Sequence, residues 1–150
     1  MANNTQTRRE WLQTASAALA AMALVPQPEE AAAAEGRPGL KFGMCDWSIG
    51  KRDVTAFEIG KQIGLDGIEV SIGEPGNLWL RDAKMQSRYL KVARDVGLTI
   101  PSVAMGLLND VPLMSEPKTA LWVADTIDVA RKLGAKCILV AMFGKGELRE

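Results

Sequence analysis

The sequence predicts an α/β fold: about four parallel strands alternating with three helices, the make-up of the N-terminal half of a closed (β/α)8 barrel, behind an N-terminal signal segment. Two observations predict the fold. A helical stretch ending in glycine and followed at once by an apolar run occurs three times, at Gly64, Gly97 and Gly134. These glycines stand 33 residues apart (64 to 97) and 37 apart (97 to 134), lengths that suit a helix crossing over between parallel strands. A third observation, at the N-terminus, predicts the leader.

The elements follow in order. A first strand is expected over Leu40 to Cys45. Asp53 then suits an N-cap, its carboxylate accepting from orphan amides of the first turn, and Phe57, Gly60 and Ile63 share a face of the helix behind it. Gly64 leads into a strand over Leu65 to Val70. Met85, Tyr89, Val92 and Val96 recur at helical spacing, and Gly97 leads into Leu98 to Met105. Pro117 suits the first turn of the third helix, with Ala120, Ala124, Ile127 and Arg131 along one side and Val123, Ile127 and Ala130 as its core face. Gly134 leads into Ala135 to Met142. Glycine fits the left-handed position just past a helix, where a Cβ is unfavourable. Near-continuous apolar strands are those covered on both faces. A closed barrel takes eight strands and about 250 residues, so the reading expects a chain truncated near the start of a fourth helix, residues 40–150 being a partial barrel.

The leader is read from composition. Arg8 and Arg9 precede Trp11 and Leu12, an apolar stretch runs from Ala15 to Val25, and small residues fill Ala31 to Ala34. Charged, apolar and then small residues is the order of a signal peptide. The apolar stretch falls short of the roughly 20 residues a membrane span needs. The paired arginines resemble a twin-arginine signal, which implies the twin-arginine export machinery as a partner and an exported, periplasmic or extracytoplasmic location. The expected organisation is 1–34 signal, 35–39 linker and 40–150 barrel, with no membrane span in the mature chain.

Charge and composition exclude several functions. The 150 residues carry 18 basic and 18 acidic side chains. Removing residues 1–34 takes Arg8, Arg9, Glu10, Glu29 and Glu30 and leaves 16 and 15. A nucleic-acid partner, which needs a basic excess, is disfavoured. The chain contains no histidine, so Ser-His-Asp and Cys-His catalysis and the usual zinc sites are ruled out for it. Cys45 and Cys137 stand in apolar runs without a CxxC spacing and are expected to be buried, unreactive thiols. No GxGxxG or GxxxxGK[ST] motif is present.

In parallel β/α folds, ligands lie beyond the C-terminal ends of the strands. That selects Cys45 to Ser48, then Glu69, Ser71 and Glu74, then Met105, Gly106 and Asn109, then Phe143 to Lys145. Glu69 stands out, because a carboxylate inside an apolar strand is costly unless paired or hydrated. It calls for an ion pair, with Lys41 or Lys145, or for a polar ligand. Trp47 suits either a wall for the apolar face of a sugar or core packing. Asp46 suits a cap on the turn after the first strand, and Lys145 an anion contact or a solvated loop position.

The runs Phe42 to Ser48, Ile63 to Val70 and Ala130 to Lys136 resemble the sugar phosphate isomerase/epimerase family. The most characteristic is G-x-D-G-[IV]-E, here Gly64 to Glu69. The resemblance covers roughly Leu40 to Glu150 and implies a xylose isomerase-like TIM barrel, shared with metal-dependent apurinic endonucleases. It implies a small-molecule sugar substrate and a divalent metal (manganese, magnesium or zinc) held by two glutamates, an aspartate and a histidine of the later strands. None of those ligands maps onto this chain, so the chain alone is expected to bind no metal and to be inactive. Glu69 matches a second-strand glutamate facing the substrate pocket, and Trp47 a first-strand position lining it. In such an enzyme the metal polarises the sugar carbonyl and a glutamate moves the proton through an enediolate-like state. A non-catalytic carbohydrate-binding barrel and an abasic-site endonuclease are the alternatives, and an oligomer is compatible with all three.

Overall fold

Four short strands lie side by side in chain order and all run parallel: β1 (Gly43–Cys45), β2 (Gly67–Ser71), β3 (Ser102–Ala104) and β4 (Cys137–Leu139). They come from a computed structural model, which describes residues 39–146. The expected signal peptide, and all of the linker but Gly39, lie outside the described residues. Between the strands run a one-turn helix α1 (Asp46–Ile49), then α2 (Thr55–Gln62), α3 (Ala83–Val96) and α4 (Lys118–Leu133). The architecture is an α/β fold of four parallel strands with crossover helices, consistent with a partial (β/α) barrel.

The three glycine junctions share one geometry. Gly64, Gly97 and Gly134 have φ of 80°, 75° and 73°. The next residue's N–H reaches back five positions: Leu65 to the Gly60 carbonyl, Leu98 to Ala93 and Ala135 to Ala130, each at 2.9 Å. This satisfies carbonyls the helix ends leave orphaned. One residue further on, the chain is already paired to the preceding strand segment. Asp66 N–H donates to the Phe42 carbonyl at 2.7 Å, Thr99 to Asp66 at 3.0 Å and Lys136 to Pro101 at 3.0 Å. The junction therefore both stops the helix and sets the register of the strand.

The sheet has two unlike faces. Val70 pairs with Val103, and Met44 with Ile68. Ile68, Val70 and Val103 are fully buried on the side the helices cover. A Cβ at Gly60 of α2 would stand 2.6 Å from Ile68 Cδ1, so a larger residue there would have to push aside the tip of the Ile68 side chain. Phe57 and Tyr89 meet edge to face across α2 and α3, centroids 6.0 Å apart. The opposite face carries small and polar residues, with Cys45 beside Glu69 and Ser71 beside Ala104.

The structure corrects several details. The strands are shorter than the apolar runs; β3 begins only after Pro101, which has no N–H to give a ladder. Asp53 does serve the start of α2, accepting from Thr55 N–H at 2.7 Å, but Ile63 at the other end is 56% exposed. On α4 the buried side is Trp122, Thr126, Val129, Ala130 and Leu133, while Ile127 is 56% exposed. Of the expected stripe, Ala130 is buried and Val123 packs half-buried against the core, so only Ile127 falls outside the packing face, which Trp122 and Thr126 complete. Arg81 ties the 3-10 turn before α3 to Asp125 of α4.

Truncating Trp122 to alanine is expected to cost about 3–5 kcal/mol of stability, whereas Ile127→Ala should change it by no more than about 0.5 kcal/mol. Denaturant unfolding of the two variants distinguishes the faces; comparable losses would mean that α4 is packed the other way round.

Candidate functional site

A cleft of about 590 Å³ opens beyond the C-terminal ends of the strands. Trp47 of α1, Ser71 at the end of β2 and Glu74 of the following turn line one side. Gly106 and Asn109, in the turn after β3, and Phe143, after β4, line the other. All six belong to the segments that the strand-end rule selects. Arg52, Gly73, Asp110 and Ala141 also line it. Arg52 sits in a loop without periodic pattern, and only its place after the first strand could have marked it.

Asp46 joins the ends of the first two strands. It is 1% exposed, and its carboxylate accepts from Ser71 N–H and from Ser71 Oγ–H, both at 2.7 Å. Burial raises its pKa above the ordinary carboxylate value, the two Ser71 bonds opposing that rise. The expected turn cap is thus a strut from β1 to β2. It places Trp47, the next residue, at the cleft wall.

Glu69 lies one step deeper than Ser71 on the same face of β2, since alternate residues share a face. Its partners are not the expected lysines. Cys45 Sγ–H donates to Oε1 at 3.2 Å and Ser102 Oγ–H to Oε2 at 2.6 Å. Lys41 instead pairs with Asp66 at 3.4 Å. Glu69 is half-buried and is not among the residues lining the cleft, whereas Trp47 is. The structure therefore separates the two candidate residues: Trp47 on the wall, Glu69 on the open face of the sheet below.

The cysteines depart from expectation, Cys45 being half-buried and Cys137 exposed. Burial, then the Glu69 carboxylate it donates to, push the Cys45 thiol up to about 11. Above the cleft, Arg52 Nη1 pairs with Glu74 Oε1 at 3.1 Å. Asn109 Oδ1 accepts from Phe143 N–H at 2.8 Å, holding together the segments after β3 and β4. The site offers an indole face, an ion pair and side-chain amide and hydroxyl groups, a set suited to hydroxyl-bearing ligands. Among the described residues no three or more of Asp, Glu and Cys gather as metal ligands, and no helix is long and apolar enough to cross a membrane.

Alkylation tests the Cys45–Glu69 contact. A pKa near 11 against the ordinary 9.0 leaves roughly a hundredfold less thiolate at mildly alkaline pH, so Cys137 should react first and Cys45 only as pH approaches 11. Glu69→Gln should move the Cys45 rate profile to lower pH. Equal reactivity of the two thiols in the folded, unsubstituted chain would contradict the contact.

No family model matches the chain. It is 29% identical over 112 residues to a 2-epi-5-epi-valiolone 7-phosphate 2-epimerase of an Actinoplanes species, covering 73% of this chain. The chain spans 42% of that relative's length. Among solved structures, it is similar to the probable 3-DHS dehydratase AsbF of Bacillus anthracis, involved in petrobactin synthesis, at 18% identity and a TM-score of 0.47, over 66% of this chain and 37% of that one. The sequence similarity supports a relationship to sugar-phosphate epimerases.

Proposed function

We propose that this chain supplies the first strands of an exported sugar or sugar phosphate isomerase/epimerase, and that the cleft beyond its strand ends is part of the substrate pocket. The observation that carries the reading is the similarity to an epimerase over 112 residues. The position of the cleft supports it, since parallel β/α enzymes bind beyond the C-terminal ends of their strands. Trp47 covers the apolar face of a sugar ring. Arg52, Glu74 and Asn109 meet its hydroxyl groups, and Glu69, below the cleft, keeps on each oxygen an acceptor position beyond those given to Cys45 and Ser102 for a substrate hydroxyl that reaches the open sheet face. The leader read over Thr7 to Ala34 supports export.

A divalent metal belongs to this reading of the whole protein. The described residues do not fit it: they gather no set of ligands, and the two carboxylates nearest the strand ends are already engaged, Asp46 by Ser71 and Glu69 by Cys45 and Ser102. What this chain's residues do is bind and orient, with Asp46 fixing where the Trp47 wall stands.

Protein expressed from its complete coding sequence and supplied with manganese or magnesium is expected to interconvert at least one aldose–ketose or epimer pair, free or phosphorylated. Trp47→Ala should lower kcat/KM about tenfold or more through substrate binding. Failure to turn over any of these while remaining folded would contradict the proposal.

A further inference from the structure

We propose that the Arg52–Glu74 pair is a specificity element of the cleft that reads neighbouring hydroxyls of an uncharged sugar unit and turns away a phosphate group. The inference rests on the reading of the cleft as a sugar pocket and narrows what its Arg52 side accepts.

Both partners are held by their backbones. The Arg52 carbonyl accepts from the hydroxyl of Tyr89, a residue only 1% exposed, at 3.4 Å. Glu74 sits in a tight turn in which its N–H and carbonyl bond to Asn77 at 3.0 and 2.9 Å. The side chains then meet at 3.1 Å and remain about half exposed, 51% and 58%. Ion pairs this exposed contribute little to stability, so exchanging part of this contact for one with a ligand in the cleft that both residues line would cost the fold little.

Their remaining hydrogen-bonding capacity is large. The contact uses one N–H of a guanidinium that has about five, and one of roughly four acceptor positions of the carboxylate. A donor and an acceptor side by side match two adjacent hydroxyls, each of which both donates and accepts. Trp47, on the same cleft, covers the apolar face of a ring so held.

Charge decides against a phosphate here. Among the described residues lining the cleft, Arg52 is the one cation, against Glu74 and Asp110, and Asp46 lies close enough to feel its charge. A phosphate would compete with Glu74 for the guanidinium and meet the repulsion of Glu74 and Asp110. A neutral polyol meets no such opposition. A phosphorylated substrate would therefore place its phosphate away from this wall.

The test follows the Trp47 indole N–H by NMR in the protein expressed from its complete coding sequence, titrated with D-glucose, D-fructose and myo-inositol and with their monophosphates. At least one neutral compound is expected to shift this resonance and its phosphate to bind more weakly. Arg52→Ala and Glu74→Ala should each weaken the neutral ligand about tenfold, the scale of one hydrogen bond to a charged group, with unfolding unchanged. Glu74→Gln should narrow the gap between neutral and phosphorylated forms. Tighter binding of the phosphates by the unsubstituted chain, or variants without effect on the neutral ligand, would overturn the specificity proposal and leave the sugar-pocket reading standing. Silence of the indole toward every compound would overturn both.

Discussion

Each strand of this sheet after the first is set in place by one backbone hydrogen bond, donated two residues beyond the glycine that ends the preceding helix. The bonds run from Asp66 to Phe42, from Thr99 to Asp66 and from Lys136 to Pro101. Glycine is needed because the chain must turn through positive φ between the last helical carbonyls and the first ladder bond. A one-residue slip in a strand would exchange its two faces. On β2 it would turn Ile68 and Val70 away from the helices and put Glu69 against them. The junctions therefore decide more than helix length: they decide which residues become core and which remain available on the other face.

The site inherits this order. With Ile68 and Val70 committed to the helices, Glu69 and Ser71 fall on the opposite face, where Ser71 meets Asp46 and Glu69 meets Cys45 and Ser102. The Asp46 strut puts two strand ends at a common height and carries Trp47 to the cleft wall. Beyond the strand ends backbone constraints take over: Tyr89 holds the Arg52 carbonyl, the Glu74–Asn77 turn holds its partner, and Asn109 clasps the Phe143 amide. Polar groups at the cleft are thus positioned by backbone hydrogen bonds, one of them from the core residue Tyr89. This is the condition for a site to hold its geometry without a ligand.

Much of this was legible in the sequence because it is periodic or punctuated. The glycines, the capping role of Asp53 and the four strands are local signals, and the strand-end rule turns them into a short list that includes Trp47, Ser71, Glu74 and Asn109. What was not legible depends on partners distant in sequence. For Glu69 the sequence leaves a lysine or a polar ligand open; register places Cys45 and Ser102 beside it, partners that no charge pattern marks. Arg52 carries no pattern at all. On α4 the aliphatic spacing marks Ala130 and Val123, which do pack, but also Ile127, which does not, and it leaves out Trp122, Thr126 and Val129. The exposure of Cys137 reflects its strand, β4, pairing only with β3 among the described residues.

Whether the three helix–glycine–strand junctions fix the sheet can be read from native-state hydrogen exchange of the Asp66, Thr99 and Lys136 amides. All three should exchange as slowly as the ladder amides of β2 and β3, opening only with the sheet as a whole. Exchange at the rate of exposed loop amides, while β2 and β3 stay protected, would contradict it.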